Sequence, residues 1–158
     1  MPHDWTDGEL LITDDRSLLD LDVIHGFLKG SYWSEDIPRD LLERAINNSI
    51  AVGLYRAGKQ VGFARVVTDR ATFAYLADVF ILESHRGRGL SKQLMRVVMS
   101  HPELRSVRRW HLVTRDAHGL YRQFGFSELK GASRHMEIHV SDAYNRDERG
   151  FSTVPLIE

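Results

Sequence analysis

The 158-residue chain contains no cysteine. Disulfides, thiolate metal sites, iron–sulfur clusters and a cysteinyl acyl-enzyme are excluded together. Long apolar runs are missing as well: none approaches the roughly 18 residues that a membrane helix needs. The opening Met1-Pro2-His3-Asp4-Trp5-Thr6-Asp7 is acidic and polar, where a signal peptide is basic and then apolar. A cytoplasmic location is the expectation. Neither charge is in surplus, since 21 Lys and Arg face 22 Asp and Glu. That balance argues against a general nucleic-acid binder, which is normally strongly basic. There is no internal repeat and no low-complexity linker.

What is present is a 42% hydrophobic composition. A chain of this size forms one domain and buries about 68–70% of its unfolded surface, so no staple is required. Glu9–Thr13 reads as a first strand. Leu18, Leu19, Leu21, Ile24 and Leu28 recur at three- and four-residue steps, which predicts a helix ending at Gly30. Pro38 suits the first turn of a second helix. The period then changes to two: Ile50–Arg56 and Gln60–Val67 form a hairpin about Ala57-Gly58-Lys59, and Thr72–Ile81 is a nearly all-apolar central strand. A helix over Leu90–Val98, a strand Trp110–Thr114, a short helix Ala117–Phe124 stopped by Gly125, and an alternating last strand Met136–Val140 follow. This order predicts an α+β fold, a three-layer α/β/α arrangement with a mixed sheet, over residues 1–140. A polar tail occupies 141–158.

The segment Arg86-Gly87-Arg88-Gly89-Leu90-Ser91-Lys92 follows the central strand and opens a helix. Glycines at 87 and 89 permit unusual dihedrals and bare N–H groups, and the helix N-terminus adds unpaired donors and a positive dipole end. Arg86, Arg88 and Lys92 reinforce the charge. The turn therefore suits a phosphate or pyrophosphate, although a tight strand-to-helix connection is the plainer reading. It is not a dinucleotide fingerprint, because Lys92 stands where the third glycine belongs, and it lacks the Gly-Lys-Ser/Thr ending of a P-loop.

Arg86-Gly87-Arg88-Gly89-Leu90-Ser91 resembles the acyl-CoA signature Arg/Gln-x-x-Gly-x-Gly/Ala of the Gcn5-related N-acetyltransferase (GNAT) family, with Ser91 at the last small position. Leu120-Tyr121-Arg122-Gln123-Phe124-Gly125-Phe126 resembles the family's second marker, a helical Leu-Tyr ending in Gly-Phe. The likeness extends from about residue 9 to residue 140. It implies a mostly antiparallel sheet with a splayed strand pair and acetyl-CoA as co-substrate. Val79, Phe80 and Ile81 would pair with the pantetheine, Gly87 to Lys92 would wrap the pyrophosphate, and a strand N–H would face the thioester carbonyl. Asp116 stands where the family often has Asn, which implies a cofactor contact; a helix N-cap before Ala117 is its alternative. Tyr121 matches the family's general acid, with a core aromatic as the alternative. No metal is implied.

The general base is left open between Asp78, which is also a candidate buried structural carboxylate, and His118 with its neighbour His111. Ser31-Tyr32-Trp33-Ser34-Glu35-Asp36-Ile37-Pro38 occupies the stretch where relatives bind acceptors. Tyr32, Trp33 and Glu35 suit a cationic or amine-bearing molecule, or the two aromatics simply pack a loop. The resemblance is to a subgroup with no assigned acceptor. His135, Glu137 and His139 alternate like metal ligands but equally like a solvated face. Between Arg86 and Arg115 eight Lys or Arg face one acid, Glu103, a local +7 that leaves −8 elsewhere. A polyanion such as CoA fits the first region and an amine the second.

The expected activity is direct transfer of acetyl from acetyl-CoA to a primary amine of a small molecule or peptide. The alternative is a CoA-binding regulatory or sensor module. The partners expected are acetyl-CoA and an amine, with neither nucleic acid nor membrane, and the last strand and tail offer a surface for a homodimer.

Overall fold

The computed structural model describes residues 1–145. Its centre is a meander that follows from the period-two pattern: β1 (Asp4–Asp7), β2 (Leu10–Thr13), β3 (Ile50–Arg56), β4 (Lys59–Thr68) and β5 (Phe73–Ile81) pair antiparallel in chain order. The β3–β4 hairpin closes on Ala57 and Gly58, both at positive φ (48° and 77°), the primed two-residue turn that matches strand twist. β6 (Arg109–His111) then joins β5 in parallel. The sheet is mixed and mostly antiparallel.

Two helical layers cover it. α1 (Leu21–Leu28) and α2 (Arg39–Asn47) bury Ile24, Leu28, Leu42 and Ile46 against Ala51, Phe63 and Phe80. α3 (Leu90–Met99) and α4 (His118–Arg122) bury Leu94, Met95, Val98 and Tyr121 against Ile12, Val52, Leu54 and Val66. Strand alternation places Val52 and Leu54 under one layer and Ala51 under the other, which makes the three-layer α/β/α fold. Each fully buried large apolar side chain contributes about 1.5–3 kcal/mol, so both faces contribute to holding the sheet. Among the described residues no helix is long and apolar enough to cross a membrane.

The elements depart from expectation where pattern and partner disagree. Met136–Val140 is not a strand: it forms no ladder, and Met136 and Ile138 are 98% and 88% exposed. Alternation supplies a face, but a strand also needs an edge to pair with. His135, Glu137 and His139 therefore do not share a strand face, and all are exposed. β1 was not expected, because all four of its residues are exposed and it is held by backbone pairing to β2. α1 starts at Leu21 rather than Leu18, since Asp20 accepts from the Val23 N–H and caps there (3.1 Å), while Asp15 caps a separate 3-10 turn. Of the tail, Ala143–Asn145 is a 3-10 turn with Tyr144 packed on the α1/α2 core, and 146–158 lie outside the described residues.

Candidate functional site

β5 and β6 pair only through Phe73↔Arg109, Ala74↔Trp110 and Tyr75↔His111. Beyond Tyr75, β5 continues to Ile81 without β6, and the chain after His111 leaves the sheet at Leu112, two residues before the expected strand end. The pair splays. Val79, Phe80 and Ile81 lie on the β5 side of the opening, Val79 half-buried and the other two buried. A strand edge without its neighbour keeps N–H and C=O groups for an extended ligand.

The glycine turn stands at the end of that edge. Gly87 and Gly89 take φ of 77° and 74°, and a Cβ at either position would meet nothing within 4 Å. Gly89 is the N-cap residue of α3 and offers no side-chain cap, so the first N–H groups of a ten-residue helix stay open. Arg86 donates from Nε to the Ile81 carbonyl (3.1 Å), tying the turn to the strand. Arg88 and Lys92 are exposed, Ser91 is half-buried, and Leu90 anchors the turn in the core at 5% exposure. The arrangement suits a pyrophosphate.

Asp78 lies where β5 bulges. Phe63 pairs Phe80 and Arg65 pairs Ala77, so Asp78 and Val79 together oppose Ala64. Asp78 has φ 55°. Its side chain is 5% exposed, with Oδ2 accepting from Arg65 Nε at 2.7 Å. Oδ1 accepts from Trp33 Nε1 at 3.0 Å. Arg65 also donates from Nη1 to Ser49 Oγ (3.1 Å).

The loop between α1 and α2 folds over this region. Trp33 packs by Tyr32 (5.0 Å between ring centres) and Phe27 (6.2 Å), and Phe27 stacks on Phe80 (4.0 Å). The Tyr32 hydroxyl accepts from the Arg115 N–H (3.1 Å), and the Arg115 guanidinium lies 3.9 Å over the Tyr32 ring. The structure thus brings Tyr32 and Trp33 to both sides of the splay. Glu35 is exposed on the same loop, away from these contacts.

Tyr121 is buried on α4, edge-on to Phe126 (5.9 Å). Burial, aided by nearby Tyr32 and Asp116, pushes its phenol up to about 12. His118, exposed, shares with Tyr121 a cavity of about 540 Å³ that Trp110, His111, Thr114 and His135 also line. None of residues 78–92 lines that cavity, so it adjoins the splay rather than filling it. Asp116 is 67% exposed beside Arg115. It does not cap α4: the N-cap residue is Ala117, whose N–H goes to Thr114 Oγ1 (3.0 Å).

One further titratable cluster joins the N-terminal hairpin to the end of α3. His3 Nδ1 and His101 Nε2 both approach Asp14 Oδ2, at 2.9 and 2.8 Å. Desolvation of Asp14 opposes ionisation, but its bonds to His3 and His101 outweigh that and hold its carboxyl below the usual range. His101 Nδ1 accepts the Glu103 N–H (3.2 Å), which puts the ring proton on Nε2. With that tautomer Nε2 donates to Asp14 and has no lone pair for a cation.

Sequence reasoning missed Arg65 and Trp33 as partners of Asp78. The signal for Arg65 was available: one basic and one acidic residue sit inside two adjacent, otherwise apolar strands.

Residues 47–128 match the family model for the acetyltransferase (GNAT) domain. A Gibberella zeae protein provisionally named acetyltransferase FG08082 is 33% identical over 84% of this chain and 90% of its own. A Xanthomonas campestris crystal structure, provisionally described as a GNAT-family acetyltransferase, is 48% identical with a TM-score of 0.84, covering 87% of this chain and 97% of that one. A Deinococcus radiodurans structure with a similar provisional description, 18% identical, matches at a TM-score of 0.69 over 90% and 96%, a likeness of fold.

Proposed function

The chain belongs to the GNAT acetyltransferase family, and we propose on that premise that it transfers the acetyl group of acetyl-CoA directly to a primary amine of a small molecule or peptide. The observation that carries this reading is the open edge of β5 running into a turn with two left-handed glycines. Pantetheine lies along Val79, Phe80 and Ile81 as a missing strand would. The pyrophosphate sits against the N–H groups from Gly87 to Lys92, with Arg86 and Arg88 supplying charge. Asp116, exposed at the far lip, contacts the cofactor.

The amine nitrogen attacks the thioester carbon, forming a C–N bond and an oxyanion that a β5 peptide N–H stabilises. His118 takes the proton that the attacking nitrogen sheds. The C–S bond then breaks and CoA leaves as thiolate. Tyr121 keeps its proton far above neutral pH and donates it as a hydrogen bond to the departing sulfur. The chain has no cysteine to carry the acetyl group, which favours direct transfer. Tyr32 and Trp33 face the acceptor, and Glu35, exposed on the same loop, supplies an acid that matches an ammonium group.

Calorimetric titration tests the binding half. Acetyl-CoA binds at micromolar concentration, and Arg88→Ala with Lys92→Ala weakens it; absence of binding at millimolar acetyl-CoA refutes the reading.

A further inference from the structure

We propose that Asp78 is a positioning residue: its carboxylate, clamped by Arg65 and Trp33, pins the bulge of β5 and sets the direction in which the next peptide groups face the splay. The inference rests on the reading that a thioester lies in that opening.

Three observations converge on it. A residue with a side chain holds φ 55° only where the surroundings impose it, although Asp tolerates this region better than most. Asp78 and Val79 stand against the single residue Ala64, so one peptide unit is released from the β4 ladder. A regular strand would spend that N–H on β4; the bulge frees it, and in the proposed arrangement it faces the side β6 has vacated. Finally, the carboxylate responsible is committed. Its two oxygens accept from Arg65 at 2.7 Å and Trp33 at 3.0 Å, and its charge is neutralised inside the protein. A carboxylate so paired is badly placed to take a proton from an incoming amine.

The clamp is anchored at both ends. Arg65 reaches Ser49 Oγ (3.1 Å), which in turn donates to the Ala45 carbonyl of α2 (2.7 Å). Trp33, 41% exposed, belongs to the loop over the splay. An acceptor resting on Trp33 therefore bears on the same carboxylate that fixes the bulge.

The test compares Asp78→Asn with Asp78→Ala. Asn still accepts one of the two hydrogen bonds and tolerates the left-handed backbone; Ala does neither. Positioning predicts that kcat of Asp78→Ala falls at least about tenfold below that of Asp78→Asn, the order of a misaimed oxyanion donor. It also predicts that the acid limb of the kcat profile is unchanged in Asp78→Asn. The infrared stretch of isotope-labelled acetyl-CoA carbonyl, lowered on binding to the wild type, returns toward its free value in Asp78→Ala while CoA affinity stays within about threefold. If Asp78→Ala does not fold, Trp33→Phe gives the same signature from a half-exposed site. Equal inactivity of both Asp78 variants with the acid limb lost makes Asp78 the base and overturns the proposal, as does an unchanged carbonyl shift in Asp78→Ala or, in its place, Trp33→Phe. Failure of the wild type to bind acetyl-CoA overturns the underlying reading instead, and the inference with it.

Discussion

Gly89→Ala tests the turn most sharply. Gly89 has φ 74°, and the added Cβ meets nothing within 4 Å, so the substitution introduces backbone strain without a clash. An L-residue in the left-handed region costs roughly 1–2 kcal/mol. The turn is exposed and precedes α3, so it relieves that strain by rotating Gly89 to negative φ rather than by unfolding the core. Rotation re-aims the N–H groups that face the pyrophosphate. At 1.4 kcal/mol per decade the loss is roughly five- to thirtyfold in acetyl-CoA affinity. The control is S-acetylpantetheine, which carries the thioester and pantetheine arm but no pyrophosphate. Calorimetry, or KM with each donor, should show the loss for acetyl-CoA and none for S-acetylpantetheine. Equal losses for both donors, or no loss for acetyl-CoA, would refute the assignment of this turn to the pyrophosphate.

Other perturbations read other parts of the molecule. Tyr121→Phe lowers kcat more than it changes acetyl-CoA affinity, and in the wild type Tyr121 produces no alkaline loss of kcat below pH 10, because burial pushes its phenol up to about 12. Stability behaves differently: Tyr121 has a folded pKa above its unfolded value near 10, so its contribution is complete below pH 10 and is lost as pH rises towards 12, which alkaline urea titrations can follow. Tyr55→Phe raises stability by about 1 kcal/mol in chemical denaturation, since the buried Tyr55 hydroxyl has no hydrogen-bond partner among the described residues. Asp14→Ala destabilises by about 1–3 kcal/mol at neutral pH, because it leaves the buried His101 N–H unpaired. With its folded pKa lowered, Asp14 contributes stability above pH 3.8 and loses it as pH falls through the folded value, so the gap between Asp14→Ala and wild type narrows in acid.

The hairpin Ile50–Val67, the strand ending at Ile81 and the helix opening at Leu90 were legible because periodicity and turn residues agree there. The glycine turn was legible for a related reason: positive φ at 87 and 89 needs glycine, and glycine is visible in a sequence. Long-range polar pairing was not. Asp78 read equally as a base and as a structural carboxylate until Arg65, thirteen residues earlier, and Trp33 were found on its two oxygens. Met136–Val140 misled in the opposite way, because alternation describes a face and says nothing about whether an edge is available. Tyr32 meets the Arg115 segment through its hydroxyl and ring, a contact that no local pattern encodes.

Acetyl transfer to an amine can be observed by following both products at once. The full chain is incubated with acetyl-CoA and a panel of primary amines and amine-bearing peptides, while released thiol and acetylated product are quantified together. At least one amine is expected to gain a single acetyl group in step with CoA release, and Tyr121→Phe to slow both equally. Tight acetyl-CoA binding without transfer to any member of a broad panel would contradict that expectation and leave a CoA-binding module.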